Sequence, residues 1–294
     1  MKKKQTALAR KMNKTGLLLC IPALLIVAFA VYALGYALVM SFNSNKAIMA
    51  GTWNFVGWNN YEKVFASKDI RNAVGNTLAY AAATICIELA IGLVVSAALR
   101  KNVRGSGIAK VCIILPMMMA PIASGTIWRW MLTDRYGIIN HLLGLIGIEG
   151  PMWLADKMAA KAAVLMVSVW TAAPFVILVL LASISGISDD IIEAARIDGA
   201  GDLQAYWYVI FPHLKSAVAV ILMIRIPDAL KMYDIVYILT EGGPANSTQV
   251  ISYYIYNRGF TTLKFGEAAA ASFLLFVFIA FFSLAANRLV QRKR

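Results

Sequence analysis

Charge is what this chain has least of. Only 15% of its 294 residues are Asp, Glu, Lys or Arg, while 60% are hydrophobic. Soluble domains run at about 45–50% apolar, so an ordinary soluble globule is excluded and the bilayer becomes the expected solvent. Histidine is nearly absent. His141 and His213 stand far apart without metal-ligand company. The three cysteines, Cys20, Cys86 and Cys112, all fall in apolar runs. They lack paired spacing, which argues against a disulfide framework or a metal site and leaves them as small apolar packing residues. Leu19, before Cys20, is too large for a lipoprotein cleavage box, and the apolar run continues past it. No G-x-x-x-x-G-K-[ST] phosphate loop occurs, so the chain does not bind ATP by that device. Without a G-x-S-x-G, an H-E-x-x-H or a paired-carboxylate site, nothing points to catalysis. There is no internal repeat and no low-complexity tract, and the inverted halves of many secondary carriers are not visible.

Six apolar stretches meet the roughly 20 residues a helix needs to cross a bilayer. They are Gly16 to Phe42, about Val74 to Leu99, about Val111 to Leu132, about Ala162 to Ile184, about Ser216 to Leu239, and about Glu267 to Leu289. The first follows Met1-Lys2-Lys3-Lys4 but far exceeds a secretory apolar core of about 7–15 residues, and is read as a retained helix. The net charge of +13 accompanies no basic face of a soluble fold, which argues against nucleic acid. Lys and Arg gather instead in the two tails and in the short 100–110 loop, where they act as topology anchors. With six crossings, this places both tails and the loop at 186–215 in the cytoplasm. The expected organisation is a basic tail (1–15), a first membrane helix (16–42), an external amphipathic loop (43–73), a core (74–289) and a short basic tail (290–294). Within the external loop, the aromatic stretch 53–65 suits an interfacial helix.

Residues 193–212 are a polar, helix-forming interlude between two of the apolar stretches. Glu193-Ala194-Ala195-Arg196 is good helix composition. Asp189 or Asp190 is placed to cap its start, Gly199 to break it, Asp202 to cap a second helix, and Pro212 to fix entry into the fifth span. Tyr206, Trp207 and Tyr208 suit the headgroup boundary. Within the membrane, Arg225, Asp228, Lys231 and Asp234 recur every third residue, which predicts a helical ladder of alternating sign. Such groups face a bundle interior or a watery cavity. The ladder reads either as a pathway lining or as an internal salt-bridge ladder. Glu88 is a lone carboxylate in the second span, to be paired with Arg225 or Lys231 or else protonated. Trp170, near the helix-kinking Pro174, is a pathway candidate, as are Tyr233 and Tyr237, which are suited to stack on sugar rings. Trp128 is assigned to the interfacial aromatic belt.

The interlude closely resembles the signature loop of ABC-importer permeases, E-A-A-x3-G-x9-I-x-L-P. Glu193-Ala194-Ala195, Gly199, Val209 and Pro212 match it, with Val209 for Ile and Phe211 for Leu. Phe55-Val56-Gly57 with Asn60-Tyr61, Asn76-Thr77, Trp128-Arg129-Trp130, Tyr233-Asp234 and Thr240-Glu241-Gly242-Gly243-Pro244 resemble the carbohydrate branch related to the maltose and glycerol-phosphate systems. The resemblance covers about residues 53–285. It implies an all-α, six-helix, MetI-like type-1 permease core with an extra N-terminal helix, working as a transporter subunit of the cytoplasmic membrane rather than as an enzyme. It also implies a second homologous permease, an extracytoplasmic solute-binding protein, a carbohydrate substrate, and two ATPase subunits that bind ATP and magnesium in place of this chain. The loop, with Glu193, Ala194, Ala195, Asp198, Gly199, Val209 and Pro212, would dock on the ATPase. Glu88, Trp170, Arg225, Asp228, Lys231, Tyr233 and Asp234 are the candidate solute pathway. An ABC permease for a non-sugar solute, or an ATP-independent carrier, are the alternatives.

Overall fold

A computed structural model describes residues 2–100 and 105–291; the side chains of 2–19, 287 and 289–291 are not described. Lys101, Arg104 and the basic residues 292–294, which the topology argument used, therefore lie outside the described residues. The helices, in chain order, begin with α1 (Lys2–Ser41), α2 (Asn45–Met49), α3 (Asn59–Ala66), α4 (Lys68–Leu99) and α5 (Ser106–Met118). There follow α6 (Pro121–Met131), α7 (Ile138–Leu145), α8 (Lys157–Ser185), α9 (Asp189–Ile197) and α10 (Asp202–Ala205). A π turn over Tyr206–Ile210 leads to α11 (Phe211–His213), α12 (Lys215–Leu230), α13 (Asp234–Leu239), α14 (Ile251–Tyr256) and α15 (Phe265–Gln291). No strand forms among the described residues beyond an isolated Asn43–Phe55 bridge.

Four helices are long and apolar enough to cross a membrane unbroken: Cys20–Ser41, Lys68–Leu99, Lys157–Ser185 and Phe265–Ala286. Two further spans are bent, α5 with α6 by 102° and the segment Asp202–His213 with α12 by 59°. Counting each bent pair as one crossing gives the expected six, but the third and fifth are not single rods. The third breaks at Met119–Ala120, where both residues are extended, because a residue before proline is pushed out of the helical region and Pro121 follows. The fifth was expected to run to Leu239. Instead α12 ends at Leu230, and a short break through Tyr233 (φ −138°) precedes α13. The predicted interfacial helix also starts late, at Asn59 rather than in the 53–58 stretch.

The chain divides into two compact units. In the unit of residues 1–64 and 258–274, the Phe55–Tyr61 motif closes the end of α1. Asn60 Nδ2 donates to the carbonyls of Ser41 (2.8 Å) and Asn43 (2.9 Å), and the Tyr61 and Ser41 hydroxyls lie 2.7 Å apart. Gly57, at φ +56°, supplies the left-handed turn that returns the chain. In the unit of residues 65–257 and 275–294, α4 and α8 pack so closely that a Cβ on Gly92 would lie 2.7 Å from Val176. The Asn76-Thr77 pair is a clamp. Asn76 Nδ2 donates to the carbonyls of Ser247 and Gln249, both at 2.9 Å, and Thr77 Oγ1 accepts the Ile251 N–H at 3.0 Å. These bonds satisfy buried backbone groups and seat the turn carrying Gly242-Gly243-Pro244 on α4. Cys20, Cys86 and Cys112 are free thiols on exposed positions of the apolar helices.

Candidate functional site

Two polar regions stand out in the larger unit. The first is the interlude from α9 to α11. Ser188, not Asp189 or Asp190, caps α9. Its Oγ accepts the Asp190 N–H at 3.3 Å, while the two aspartates occupy the first turn, where the helix dipole favours negative charge. Gly199, at φ +89°, breaks the chain after α9, a conformation that costs any side chain strain. Asp202 is likewise not a cap; it is the first residue of α10 and pairs with Arg196 at 2.7 Å across the glycine turn. Gln204 Oε1 instead accepts the Gly201 N–H at 2.9 Å. In the π turn that follows, the Phe211 N–H reaches back to the Tyr206 carbonyl. The bend into α12 falls at Leu214, two residues beyond the expected Pro212.

This interlude has two faces. Ile192, Ile210 and Leu214 are buried against Val176, Leu180 and Ile184 of α8 and Ala217 and Ile221 of α12. Tyr206 adds a hydrogen bond from its hydroxyl to the Leu93 carbonyl of α4 at 3.0 Å. Glu193, Ala194, Asp198 and Gly199 are on the exposed face, with Ala195 and Val209 half-buried and Pro212 exposed. An ion pair between Arg100, just after α4, and Asp189 ties the same end of α4 to the start of α9. The result is a short helix held from below by apolar contact, with Glu193 and Asp198 exposed on its polar side.

The second region is a cavity of about 420 Å3, formed where the two broken spans meet α8. Its wall includes Met117, Met119, Pro121, Ser168, Thr171, Arg225, Asp228, Lys231, Tyr233 and Asp234. Ser168 and Thr171 lie near the middle of the 29-residue α8, which places the cavity midway along that helix. Irregular backbone within a membrane is tolerated where it lines such a cavity, and both breaks do so here. Five of the seven proposed pathway residues are thus brought together. Glu88 and Trp170 are not among them. Glu88 is fully buried behind Arg225, and its carboxylate accepts the guanidinium in a fork, Nε to Oε2 and Nη2 to Oε1, each at 2.9 Å. Arg225 also pairs with Asp228, and Lys231 Nζ lies 3.4 Å from the other Asp228 oxygen. The ladder therefore runs Glu88–Arg225–Asp228–Lys231 across two helices. It does not extend up one helix to Asp234, because α12 ends first and Asp234 starts α13.

The aromatic candidates are also rearranged. Trp170 lines a separate, apolar cavity of about 660 Å3 and packs edge-on against Trp128 at 5.4 Å. Trp128 is therefore half-buried against the core rather than in an interfacial belt. Tyr233 and Tyr237 stack on each other (5.4 Å, 15°), and each meets Tyr256 at 5.3 Å, tilted for Tyr233 and edge-on for Tyr237, so one face of each ring is committed within the protein. Ser168 and Thr171 were missed. Their hydroxyls donate to the Val164 carbonyl (2.6 Å) and to the Ser168 and Val167 carbonyls (2.9 and 3.1 Å), both residues line the cavity, and a hydroxyl that donates keeps its capacity to accept. Two hydroxyls three apart in an otherwise apolar span were the signal.

Residues 88–294 match the family described as binding-protein-dependent transport system inner membrane component. A probable ABC transporter permease protein of Sinorhizobium fredii is 32% identical over 257 residues, covering 86% of this chain and 83% of that protein. The trehalose/maltose transport system permease protein of Thermococcus litoralis is 31% identical, covering 78% of each. Among solved structures, a bacterial ABC transporter involved in the import of the acidic polysaccharide alginate shares the fold, with a TM-score of 0.82 at 21% identity over 97% of this chain and 98% of the neighbour. The six-span helical architecture and these matches together place the protein in the binding-protein-dependent transport system inner membrane component family, as a multi-pass membrane subunit and not an enzyme.

Proposed function

We propose that this chain is a permease subunit of an ABC importer for a sugar or sugar derivative, pairing with a second homologous permease. Two ATPase subunits, which bind the ATP and magnesium, dock on the Glu193 helix, and an extracytoplasmic solute-binding protein delivers the solute. The observation that carries the reading is the path of α12. Its first turns, with Ala217 and Ile221, pack under the α9–α11 interlude together with Leu214 at the bend. Its last turns present Arg225 and Asp228 to the cavity. Its 16 residues span roughly 24 Å at 1.5 Å per residue. Movement of the docked ATPases would shift α9 and α11 as one body, and α12 would carry that shift to the cavity wall, opening it alternately to each side. Glu193 would make an ionic contact with the ATPase, Ala194 and Ala195 would allow close approach, Asp198 would end α9, Gly199 would supply the turn, and Val209 and Pro212 would hold the return into the membrane. Both tails and the interlude lie in the cytoplasm in this reading.

The cavity suits a polyol. It offers a guanidinium, an ammonium, carboxylates and hydroxyls that can meet sugar hydroxyls as donors and acceptors. Methionines and prolines give it apolar walls for C–H faces. The trehalose and maltose named for the Thermococcus relative support a saccharide. The test is co-purification of the tagged chain with the products of its genomic neighbours, followed by ATPase assay with candidate binding proteins and sugars. An ATPase complex stimulated by one sugar-loaded binding protein is expected. A chain that purifies alone and moves solute without ATP in liposomes would overturn the reading.

A further inference from the structure

The end of the larger unit remote from the Glu193 helix carries a second polar cleft that the transport reading leaves unused. It measures about 380 Å3 and is walled by Arg71, Asn72 and Asn76 of α4, Lys157 and Lys161 of α8, and Ser247 of the turn after α13. Both helices begin there. α4 starts at Lys68 and α8 at Lys157, and the 29 residues of α8 put the cleft roughly 43 Å along the helix from its other end.

Three features make this cleft a site for a carboxylate-bearing partner. The first is charge. Arg71, Lys157 and Lys161 converge on one small space, and none has an ion-pair partner among the described residues. Asp156 is occupied with capping α8, accepting the Met158 and Ala159 N–H groups at 2.9 Å. The second is position. Cations at a helix N-terminus oppose the helix dipole, whose positive end lies there. Here two long helices and three cations add potentials of the same sign, an arrangement that is relieved by an anion. The third is an unmet hydrogen bond. Ser247 Oγ is buried without a partner among the described residues, and buried polar groups are ordinarily satisfied. The cleft wall is rigid, because Asn76 holds the 247–249 backbone by two hydrogen bonds.

We infer that the Arg71–Lys157–Lys161 cleft is a docking point for an acidic side chain of the solute-binding protein. The inference rests on the importer reading, which turns this end of the bundle to the extracytoplasmic side. Convergence on a walled cleft favours a protein carboxylate over lipid phosphate, which single snorkelling lysines reach without a cavity. Charged groups at the edge of an interface act mainly on association and its salt dependence.

The test uses the assembled transporter in lipid nanodiscs, titrated with its solute-loaded binding protein while ATPase rate is read. In the Lys157→Glu/Lys161→Glu complex, the half-saturating concentration of binding protein should rise about tenfold or more and lose most of its salt dependence. The plateau rate and the rate without binding protein should stay unchanged. The Lys157→Arg/Lys161→Arg complex should stay within about twofold of the original. An unchanged half-saturating concentration in the Glu variant would overturn the docking point. So would a shift that vanishes when anionic lipid is replaced by neutral lipid, which would assign the cleft to headgroups. A lowered plateau at unchanged half-saturation would make the lysines structural and also overturn it. A starting complex that no binding protein stimulates would remove the importer reading and this inference together.

Discussion

The Glu193 helix and the Arg225 cavity are built from the same kinds of charge in opposite surroundings. On the helix, Glu193 and Asp198 stand in water, and the Arg196–Asp202 pair joins half-exposed to exposed side chains. An exposed pair of that kind contributes about 0–1 kcal/mol, so the charge there is free to serve recognition. At the cavity wall, Arg225 is nearly buried, and Glu88 behind it is completely so. Taking such ions out of water costs several kcal/mol each, offset only by close geometry and full hydrogen bonding. The forked contact from α12 to α4 supplies that geometry. Asp228 and Lys231, at 48% and 62% side-chain exposure, sit between the extremes. The difference teaches that the ladder is two things at once: a buried anchor locking α12 to α4, and a cavity-facing half left accessible to solute.

The sharpest way to break this comparison is Arg225→Ala. It strands the Glu88 carboxylate and should destabilise the protein by about 3–5 kcal/mol, seen as a large fall in the thermal midpoint of the detergent-solubilised protein. Glu88→Leu/Arg225→Met should recover most of that loss; a single variant as stable as the original would show that the pair is not an anchor. On the helix, Glu193→Lys should instead leave membrane level and midpoint nearly unchanged while uptake falls, and Gly199→Val, strained at φ +89°, should lower uptake with a fall in midpoint worth about 1–3 kcal/mol, smaller than that of Arg225→Ala. Loss of a charge-assisted contact of about 1.5–3 kcal/mol would cut uptake roughly tenfold or more, and normal uptake in both variants would sink the docking proposal. Asp228→Asn probes the accessible half. Its effect on stability should stay within about 1 kcal/mol, with the change appearing in the half-saturating solute concentration for transport; an effect on stability as large as that of Arg225→Ala would mean that Asp228 belongs to the anchor. Smallest should be Ser188→Ala, which removes the α9 cap at a cost of about 1 kcal/mol. It should register as faster amide exchange in α9 with the cavity untouched.

The two regions were not equally legible. The Glu193 helix is contiguous, so its glycine break, acidic first turn and apolar underside can be read from one stretch of residues. What escaped there were local choices between neighbours: Ser188 over Asp189 or Asp190 as cap, Leu214 over Pro212 as the bend, Asp202 as an ion-pair partner rather than a cap. The cavity is assembled from α5, α6, α8, α12 and α13. The i, i+3 spacing of Arg225, Asp228 and Lys231 correctly put three of its groups on one face. The same spacing wrongly extended that face to Asp234, because periodicity does not register the end of α12 at Leu230. Which carboxylate would satisfy Arg225 depended on a helix 137 residues away in sequence, and spacing has no access to that. The rotation of α8 similarly turned Ser168 and Thr171 into the cavity and Trp170 out of it.

By itself the sequence determined the solvent, the number of crossings and the exposed helix, because each follows from composition, hydrophobic length and local break residues. Tertiary structure alone decided which charges are buried and which face a cavity. Burial depends on the packing of distant helices, and in a bilayer an unpaired ion is expensive enough that Glu88 and Arg225 are matched across that packing rather than along the chain.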